Sequence, residues 1–262
     1  MKANSLRELL KTNKPTVSTR MLTTSPAIVE MIGNTGVIDF IELMGEYAAW
    51  TLPNLEDFSR AVELFPHMSS MMKVETEPRL FITQRALGSG IQNMLFADID
   101  TAEEAKECLR YVRPILPQDG GMHGCSSRRA YSYILEAGSE KWIQAQREVV
   151  VEIMIESARA VENLDEILSV EGIDMAHFGP GDYSLSIGKP YRRGDPEIKK
   201  MERQVIEKCM QHNVRYRAII GDSDGAKTYI EMGVKDFCYS NDLGIIYNAC
   251  RKTGETLREL LD

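Results

Sequence analysis

The sequence has 262 residues, of which 43% are hydrophobic and 27% charged, and its formal net charge is −8. This length is about that of one α/β barrel domain. The acidic balance argues against nucleic acids and anionic membranes as partners, because both bind basic surfaces.

Cysteine usage and apolar runs indicate the compartment. The five cysteines include no CxxC pair and are odd in number, which does not suit a disulfide framework or a thiolate zinc site. No export signal and no apolar run of membrane-spanning length are visible. We therefore expect a cytoplasmic protein with no membrane partner.

Along the chain, short apolar runs alternate with helical stretches, which is typical of βα units. A first helix is predicted at Ser5–Lys11, opened by a capping box from Ser5 to Glu8. Eight strands are predicted, at 16–21, 40–43, 71–74, 93–96, 149–155, 175–178, 217–220 and 236–239. Further helices are predicted to begin at 25–26, 77–78 and 101–104, and to span 54–64, 159–168, 196–212, 223–232 and 242–261.

Eight strands in βα alternation predict a single (β/α)8 barrel domain. An open, doubly wound sheet would show the same alternation, but the glycine fingerprints of Rossmann and P-loop folds are absent. The stretch 113–142 is rich in proline and glycine. It is predicted to be an elaborated loop between the fourth and fifth strands, lying over the mouth of the barrel.

Two carboxylates follow adjacent strands. Glu156 ends the fifth strand, and Asp182 follows the sixth after the turn Gly179-Pro180-Gly181. The active site of a barrel lies at these strand ends, so the two side chains are expected to share one hard cation, Mg²⁺ or Mn²⁺. Taken singly, each also suits an ordinary helix start or turn.

Two motifs resemble a known family. The segment around Ile155-Glu156-Ser157, with Asn163-Leu164, resembles the "QIET…NL" stretch of the HpcH/HpaI aldolases, and 179–184 resembles their "GPADLS". The resemblance implies a metal-dependent aldolase that cleaves a 4-hydroxy-2-oxo acid into pyruvate and an aldehyde. It implies Glu156 and Asp182 as metal ligands.

The same resemblance implies the substrate contacts and the assembly. Gly179, Pro180, Gly181 and Met154 are expected to contact the keto acid. The family commonly forms homo-oligomers, trimers or hexamers, that share the C-terminal helix, here 242–261. The alternative is that this helix simply covers its own strand.

Three positions depart from the family motifs. The family's "DGEH" aligns with Met44-Gly45-Glu46-Tyr47, which removes an Asp–His pair. Lys73 replaces an arginine that contacts the keto oxygen, and Met154 replaces the glutamine of "QIET". Tyrosine is a poor base at neutral pH, so the identity of the base stays open, with Glu42 and Glu46 as candidates; Glu42, near a strand end, could instead pair with a neighbouring strand residue.

Two further positions offer compensating groups. Arg20, where the family has tryptophan, ends the first strand and is expected in the mouth, with a salt-bridged rim residue as the alternative. His123, in the 113–142 stretch, is a candidate acid or base, with a solvated surface histidine as the alternative. The catalytic candidates are thus Lys73, Arg20, His123, Glu46 and Tyr47.

Two other functions fit the same residues. The lost Asp–His pair would suit a barrel that binds a keto acid without catalysis. A citrate-lyase-like enzyme acting on an acyl-CoA would use the same metal platform, since fold does not fix substrate.

Overall fold

A closed barrel of parallel strands forms the centre of the molecule. The computed structural model describes residues 2–190, 192 and 194–261, and in these eight strands pair in sequence order, with the first also pairing with the last. The strands are β1 (Thr16–Met21), β2 (Phe40–Met44), β3 (Ser69–Val74), β4 (Asn93–Phe96), β5 (Val151–Ile155), β6 (Met175–Phe178), β7 (Arg215–Ile220) and β8 (Asp236–Asn241). The barrel prediction is confirmed, and the open sheet is excluded.

Helices surround this barrel. They are α1 (Ser5–Lys11), α2 (Pro26–Asn34), α3 (Leu52–Glu63), α4 (Arg79–Ser89), α5 (Ala102–Val112), α6 (Glu140–Arg147), α7 (Ala158–Glu162), α8 (Leu164–Leu168), α9 (Pro180–Ser186), α10 (Pro196–Gln211), α11 (Ala226–Glu231) and α12 (Asp242–Leu261). A short 3₁₀ helix, Arg129–Tyr131, precedes α6.

Several predicted helix bounds differ from the structure by a few residues, as in Leu52–Glu63 for 54–64 and Ala226–Glu231 for 223–232, and two differences have a clear local cause. The N-cap of α1 is Asn4 rather than Ser5, because the Asn4 side chain accepts the backbone N–H of Arg7. The predicted helix 159–168 is two helices that meet at Asn163, whose side chain donates to the backbone oxygen of Asp100 at 2.8 Å. The capping box at Thr101 is present as predicted.

The barrel interior is apolar at its lower end. Phe40 of β2, Met71 of β3, Met175 of β6 and Val150 just before β5 form one buried cluster, and Leu6 of α1 packs against them. Helix α1 therefore closes the end of the barrel at which the strands begin. The open end, where the strands finish, is left for a site.

The segment 113–142 does not lie over the mouth, so that prediction is wrong. Arg129 donates to the backbone oxygen of Ser89 at 3.0 Å and pairs with Glu63, at the C-terminal ends of α4 and α3. Arg128 donates to the backbone oxygen of Gln84, also in α4. The barrel helices run antiparallel to the strands, so their C-terminal ends lie near the closed end of the barrel. These contacts therefore hold the segment against the outer wall, near the closed end.

Helix α12 is exposed over nearly its whole length. Its first residue, Asp242, is buried and accepts N–H bonds from Leu22 and Thr23 after β1. Beyond that turn the apolar side chains face solvent, and Leu260 is 77% exposed. The helix therefore does not cover its own strand as an ordinary eighth barrel helix does. In the described part of the chain no helix is long and apolar enough to cross a membrane.

Candidate active site

A polar cavity of about 530 Å³ opens at the C-terminal ends of the strands. Most of the residues named as site candidates from sequence line it, namely Arg20, Tyr47, Lys73, Met154, Gly179, Pro180, Gly181 and Asp182. The strands bring them together because parallel strands of a closed barrel all finish at one rim.

Glu156 lies directly after β5 and is only 4% exposed. Its Oε1 accepts the backbone N–H of Asp98 at 2.9 Å. Burial raises the pKa of Glu156 to about 7; Lys73 opposes the rise, and the carboxylates of Asp98 and Asp182 add to it. The positive charge near Glu156 therefore offsets only part of the cost of burying its carboxylate.

The turn after β6 brings the second carboxylate to the same rim. Gly179 is the N-cap of α9, Pro180 occupies its first turn, and Asp182 lies exposed in that turn. A Cβ atom at Gly179 would lie 2.7 Å from Oε2 of Glu156, so the turn passes too close to that carboxylate for any other residue. The packing of this turn therefore fixes Glu156 relative to α9.

Lys73 interacts with three other predicted site residues, Glu46, Tyr47 and Glu156. Its Nζ lies 2.5 Å from Oε2 of Glu46 and donates to the hydroxyl of Tyr47 at 3.0 Å. Burial lowers the pKa of Lys73, but the carboxylate of Glu156, together with Glu46 and Tyr47, outweighs burial and raises it overall. Lys73 is therefore a fixed cation and not a free amine.

Tyr47 lines the cavity, while Glu46 pairs with Lys73. Burial raises the pKa of Tyr47, even though Lys73 acts against the rise, so the phenol is neutral at physiological pH. Its oxygen accepts from Lys73, which leaves the hydroxyl proton free to be donated elsewhere.

A charged layer lies beneath the cavity, and sequence analysis missed most of it. Arg217 of β7 is fully buried, with Nη2 at 2.5 Å from Glu42 of β2 and Nε at 2.9 Å from Glu152 of β5. His177 of β6 lines the cavity above, 3.6 Å from Glu152. Burial, then the charges of Arg217 and nearby cations, lowers the pKa of His177 well below its usual value, so this imidazole is neutral.

Met154 lines the floor of the cavity beside this layer. It is 5% exposed and packs with the apolar cluster inside the barrel. Its contact with a substrate would therefore be apolar, unlike that of a glutamine.

His123 is not in the mouth, so its prediction as a catalytic group there is wrong. It is 1% exposed, and its ring lies between Tyr131 and Trp142, with centroids 6.1 and 5.8 Å away. Burial, with the charge of Arg128, lowers the pKa of His123 to about 4. His123 is therefore a neutral, buried residue that packs within the 113–142 segment.

Comparison with known proteins finds several that are similar to this chain. A family model described as HpcH/HpaI aldolase/citrate lyase matches residues 54–248. The 2-keto-3-deoxy-L-rhamnonate aldolase of Salmonella paratyphi B is 30% identical over 209 residues, which cover 79% of this chain and 74% of that protein. The 5-keto-4-deoxy-D-glucarate aldolase of Shigella boydii is 25% identical over 238 residues, which cover 90% of this chain and 89% of that protein.

The fold is also that of a solved structure. An HpcH/HpaI aldolase/citrate lyase family protein from Burkholderia cenocepacia superimposes with a TM-score of 0.88 at 24% sequence identity. The superposition covers 98% of this chain and 100% of that one. This likeness supports the barrel and says nothing by itself about the reaction.

Proposed function

The chain belongs to the HpcH/HpaI aldolase/citrate lyase family, and from this premise we propose that it is a divalent-metal-dependent aldolase. The reaction is the reversible cleavage of a 4-hydroxy-2-oxo acid into pyruvate and an aldehyde. The observation that carries the proposal is the buried carboxylate of Glu156 beside the mouth cavity, facing the turn that bears Asp182.

The residues present fit a hard divalent cation. Glu156 and Asp182 would hold it, since Mg²⁺ and Mn²⁺ prefer carboxylate oxygen. A cation would also relieve the repulsion that the nearby carboxylates impose on buried Glu156. In the described part of the chain no three His, Cys, Asp or Glu side chains gather as a metal cluster. Water and the substrate would therefore supply the remaining ligands.

Cleavage breaks the C3–C4 bond and leaves its electron pair on the pyruvate half as an enolate. A cation bound to the keto acid supplies electrostatic stabilisation of that charge. Lys73 adds a fixed positive charge from β3. Its Nζ is ion-paired with Glu46 and donates one of its three N–H bonds to Tyr47, which leaves donor capacity for the enolate oxygen.

Tyr47 handles the proton at the aldehyde oxygen. In the addition direction its hydroxyl donates a proton to that oxygen as the oxygen gains charge. In cleavage the phenol first loses its proton to solvent, the resulting phenolate accepts the proton of the C4 hydroxyl, and water protonates the enolate to give pyruvate. The Lys73 ammonium against the phenol oxygen stabilises the transient phenolate, because an opposite charge favours the charged form. The N–H groups of Gly181 and Asp182, in the first turn of α9, bind the keto acid carboxylate.

Methyl-proton exchange tests the proposal. Pyruvate incubated in D₂O with the protein and Mg²⁺ or Mn²⁺ should lose its methyl protons, and a chelator should stop the loss. Binding of pyruvate without exchange at any metal tried would instead support a barrel that binds a keto acid without catalysis. Met44 and Met154 at the mouth favour that second function, because each stands where the family has a polar residue.

We also propose that the protein is a homo-oligomer, a trimer or hexamer, held partly by α12. Only the first residue of this helix is buried, and its apolar residues Ile246, Tyr247 and Leu257 are at least half exposed. Light scattering should give a multiple of the 29.6 kDa chain mass. Replacing Ile246 and Tyr247 by glutamate should lower that mass, and a native protein of single-chain mass would contradict the proposal.

A further inference from the structure

His177 lies between the mouth cavity and the buried charged layer, and it takes no part in the steps of the proposed reaction. It is 3% exposed and lines the cavity from β6. Its Nδ1 is buried and has no hydrogen-bond partner among the residues that the structure describes. That atom lies 3.6 Å from Oε1 of Glu152, slightly beyond hydrogen-bond length. The opposite ring nitrogen, Nε2, is the one that a molecule in the cavity can reach.

Glu152 has one oxygen atom that is left without a partner. The residue is fully buried on β5, and its Oε1 accepts from Nε of Arg217 at 2.9 Å. Its Oε2 is buried and has no hydrogen-bond partner within the described part of the chain. An unpaired charged oxygen in a protein interior costs far more free energy than an unpaired neutral one. The surroundings of Oε2 therefore favour a protonated carboxyl group.

The charged layer holds more acid than base. Arg217 is the shared partner of Glu42 and Glu152, and one guanidinium balances only one of the two carboxylates. Burial raises the pKa of Glu152 to about 7; Arg217 opposes the rise, and Glu42 adds to it. Glu152 therefore holds a proton that it can lose and regain near neutral pH.

The surroundings leave one route between this proton and solvent. Below the layer, the barrel is filled by the apolar cluster that α1 closes, and β4 presents Leu95 beside Glu152. Other charged or titratable groups face the pair, and each of them keeps His177 neutral, favours the proton on Glu152 or stays protonated itself: Arg20 of β1, Lys73 of β3, Asp236 of β8 and the buried thiol of Cys238. The ring of His177 thus separates Glu152 from the cavity.

We propose that Glu152 and His177 form a proton relay, in which His177 passes protons between the carboxyl group of Glu152 and the water that protonates the enolate. This inference rests on the proposed function for the enolate. As pyruvate forms, water gives a proton to C3, Nε2 of His177 gives one to the hydroxide left behind, and Nδ1 takes one from Glu152. The imidazole stays neutral because it gains one proton as it loses another. Glu152 then regains its proton from solvent through the same ring, and the reverse sequence removes a methyl proton from pyruvate.

Infrared spectroscopy tests the stored proton and its route without substrate. Glu152→Gln should remove one C=O band of a protonated carboxyl group from the spectrum at pH 6, and Glu162→Gln, at an exposed site, should remove none. In D₂O the band shifts as a deuteron replaces the proton. His177→Gln should slow this replacement at Glu152 by at least about 10-fold, because an amide side chain does not pass protons. His67→Gln, at an exposed histidine, should leave the rate unchanged.

Pyruvate methyl exchange tests the use of the relay. With Mg²⁺ present, Glu152→Gln and His177→Gln should each lower the exchange rate by about 10²-fold. Pyruvate binding, measured by calorimetry, should stay near that of the native protein, whereas a merely structural role would weaken it. The native rate should rise with pH through about pH 7, as Glu152 becomes able to accept a proton. This rise should be missing in Glu152→Gln.

The outcomes separate the relay from the aldolase. The relay is overturned by a carboxyl band that Glu152→Gln leaves in place, by native deuteration in His177→Gln, or by native methyl exchange in either variant. If the native protein exchanges no methyl protons with any metal, the aldolase proposal fails. The deuteration rate of Glu152 then decides by itself whether His177 passes its proton.

Discussion

The mouth of the barrel and the 113–142 segment each bury an ionisable side chain, but only the one at the mouth lies beside the proposed active site. Burial shifts the pKa of Glu156 up to about 7 and that of His123 down to about 4. Glu156 lies beside an open cavity with two more carboxylates near it, whereas His123 is enclosed by Tyr131 and Trp142.

Burial alone therefore does not mark a functional group. Both side chains favour their neutral forms when isolated from water. A cation bound at the mouth would reverse that preference for Glu156.

Glu156→Gln should lower the rate of pyruvate methyl exchange by about 10³-fold, because it removes half of the protein's cation ligands. The amide has nearly the same volume, so the thermal midpoint should stay close to that of the native protein. Glu162→Gln, an exposed carboxylate at the end of α7, is the matched control and should exchange normally. Equal loss in both variants would show that Glu156 has no special role.

Gly179→Ala should lower exchange by about 10- to 100-fold. The added Cβ would lie 2.6 Å from Cβ of Glu156 and 2.7 Å from its Oε2, so the carboxylate must move. Gly221→Ala is the control, since nothing lies within 4 Å of a Cβ there. An alanine at 179 with native exchange and native metal affinity would mean that the turn does not position Glu156.

Tyr47→Phe should slow aldol cleavage by about 10- to 100-fold while methyl exchange stays near the native rate. The reason is that exchange needs the enolate but no proton transfer to an aldehyde oxygen. Measuring both rates on one preparation separates the two roles. A parallel fall in both would place Tyr47 in enolate formation instead.

His123→Phe should leave exchange and cleavage unchanged and alter only the acid stability. The folded pKa of about 4 lies below the usual value near 6.5, so the unfolded chain binds the proton first as the pH falls. Stability is therefore lost below about pH 6.5, by about 2 kcal/mol at pH 5. Urea unfolding at pH 7.5 and pH 5 should show a smaller loss in the variant. A loss of activity in a variant that still folds would show that His123 takes part in catalysis.

Much of the barrel was predictable, because strand runs and caps are local signals. The bounds of β1, β4 and β6 and the capping box at Thr101 agree with the sequence pattern. The N-cap of α1 differed by one residue because Asn4 and Ser5 are both good caps and only tertiary contacts choose between them. Asn4 also donates to Asn93 and to the backbone of Glu148.

The sequence predicts those site residues that follow strand ends. It does not predict those whose position depends on tertiary packing. Glu156 and Asp182 follow strands, so their shared rim follows from the fold. The 113–142 segment has no periodicity to show which wall it covers, and the position of His123 could not be read from it. Glu42, Glu152 and Arg217 did carry a signal: each sits at an inward position of an apolar strand. The continuous apolar runs of a parallel sheet hide that alternation.

Manganese binding can show by itself whether Glu156 and Asp182 hold a cation, because it needs no substrate. Titration of the native protein with Mn²⁺, followed by electron paramagnetic resonance of the free ion, should show one site per chain. Glu156→Gln and Asp182→Asn should each weaken it strongly, and Glu162→Gln should not. Unchanged Mn²⁺ affinity in both mouth variants would contradict the proposal that these two carboxylates hold the catalytic cation.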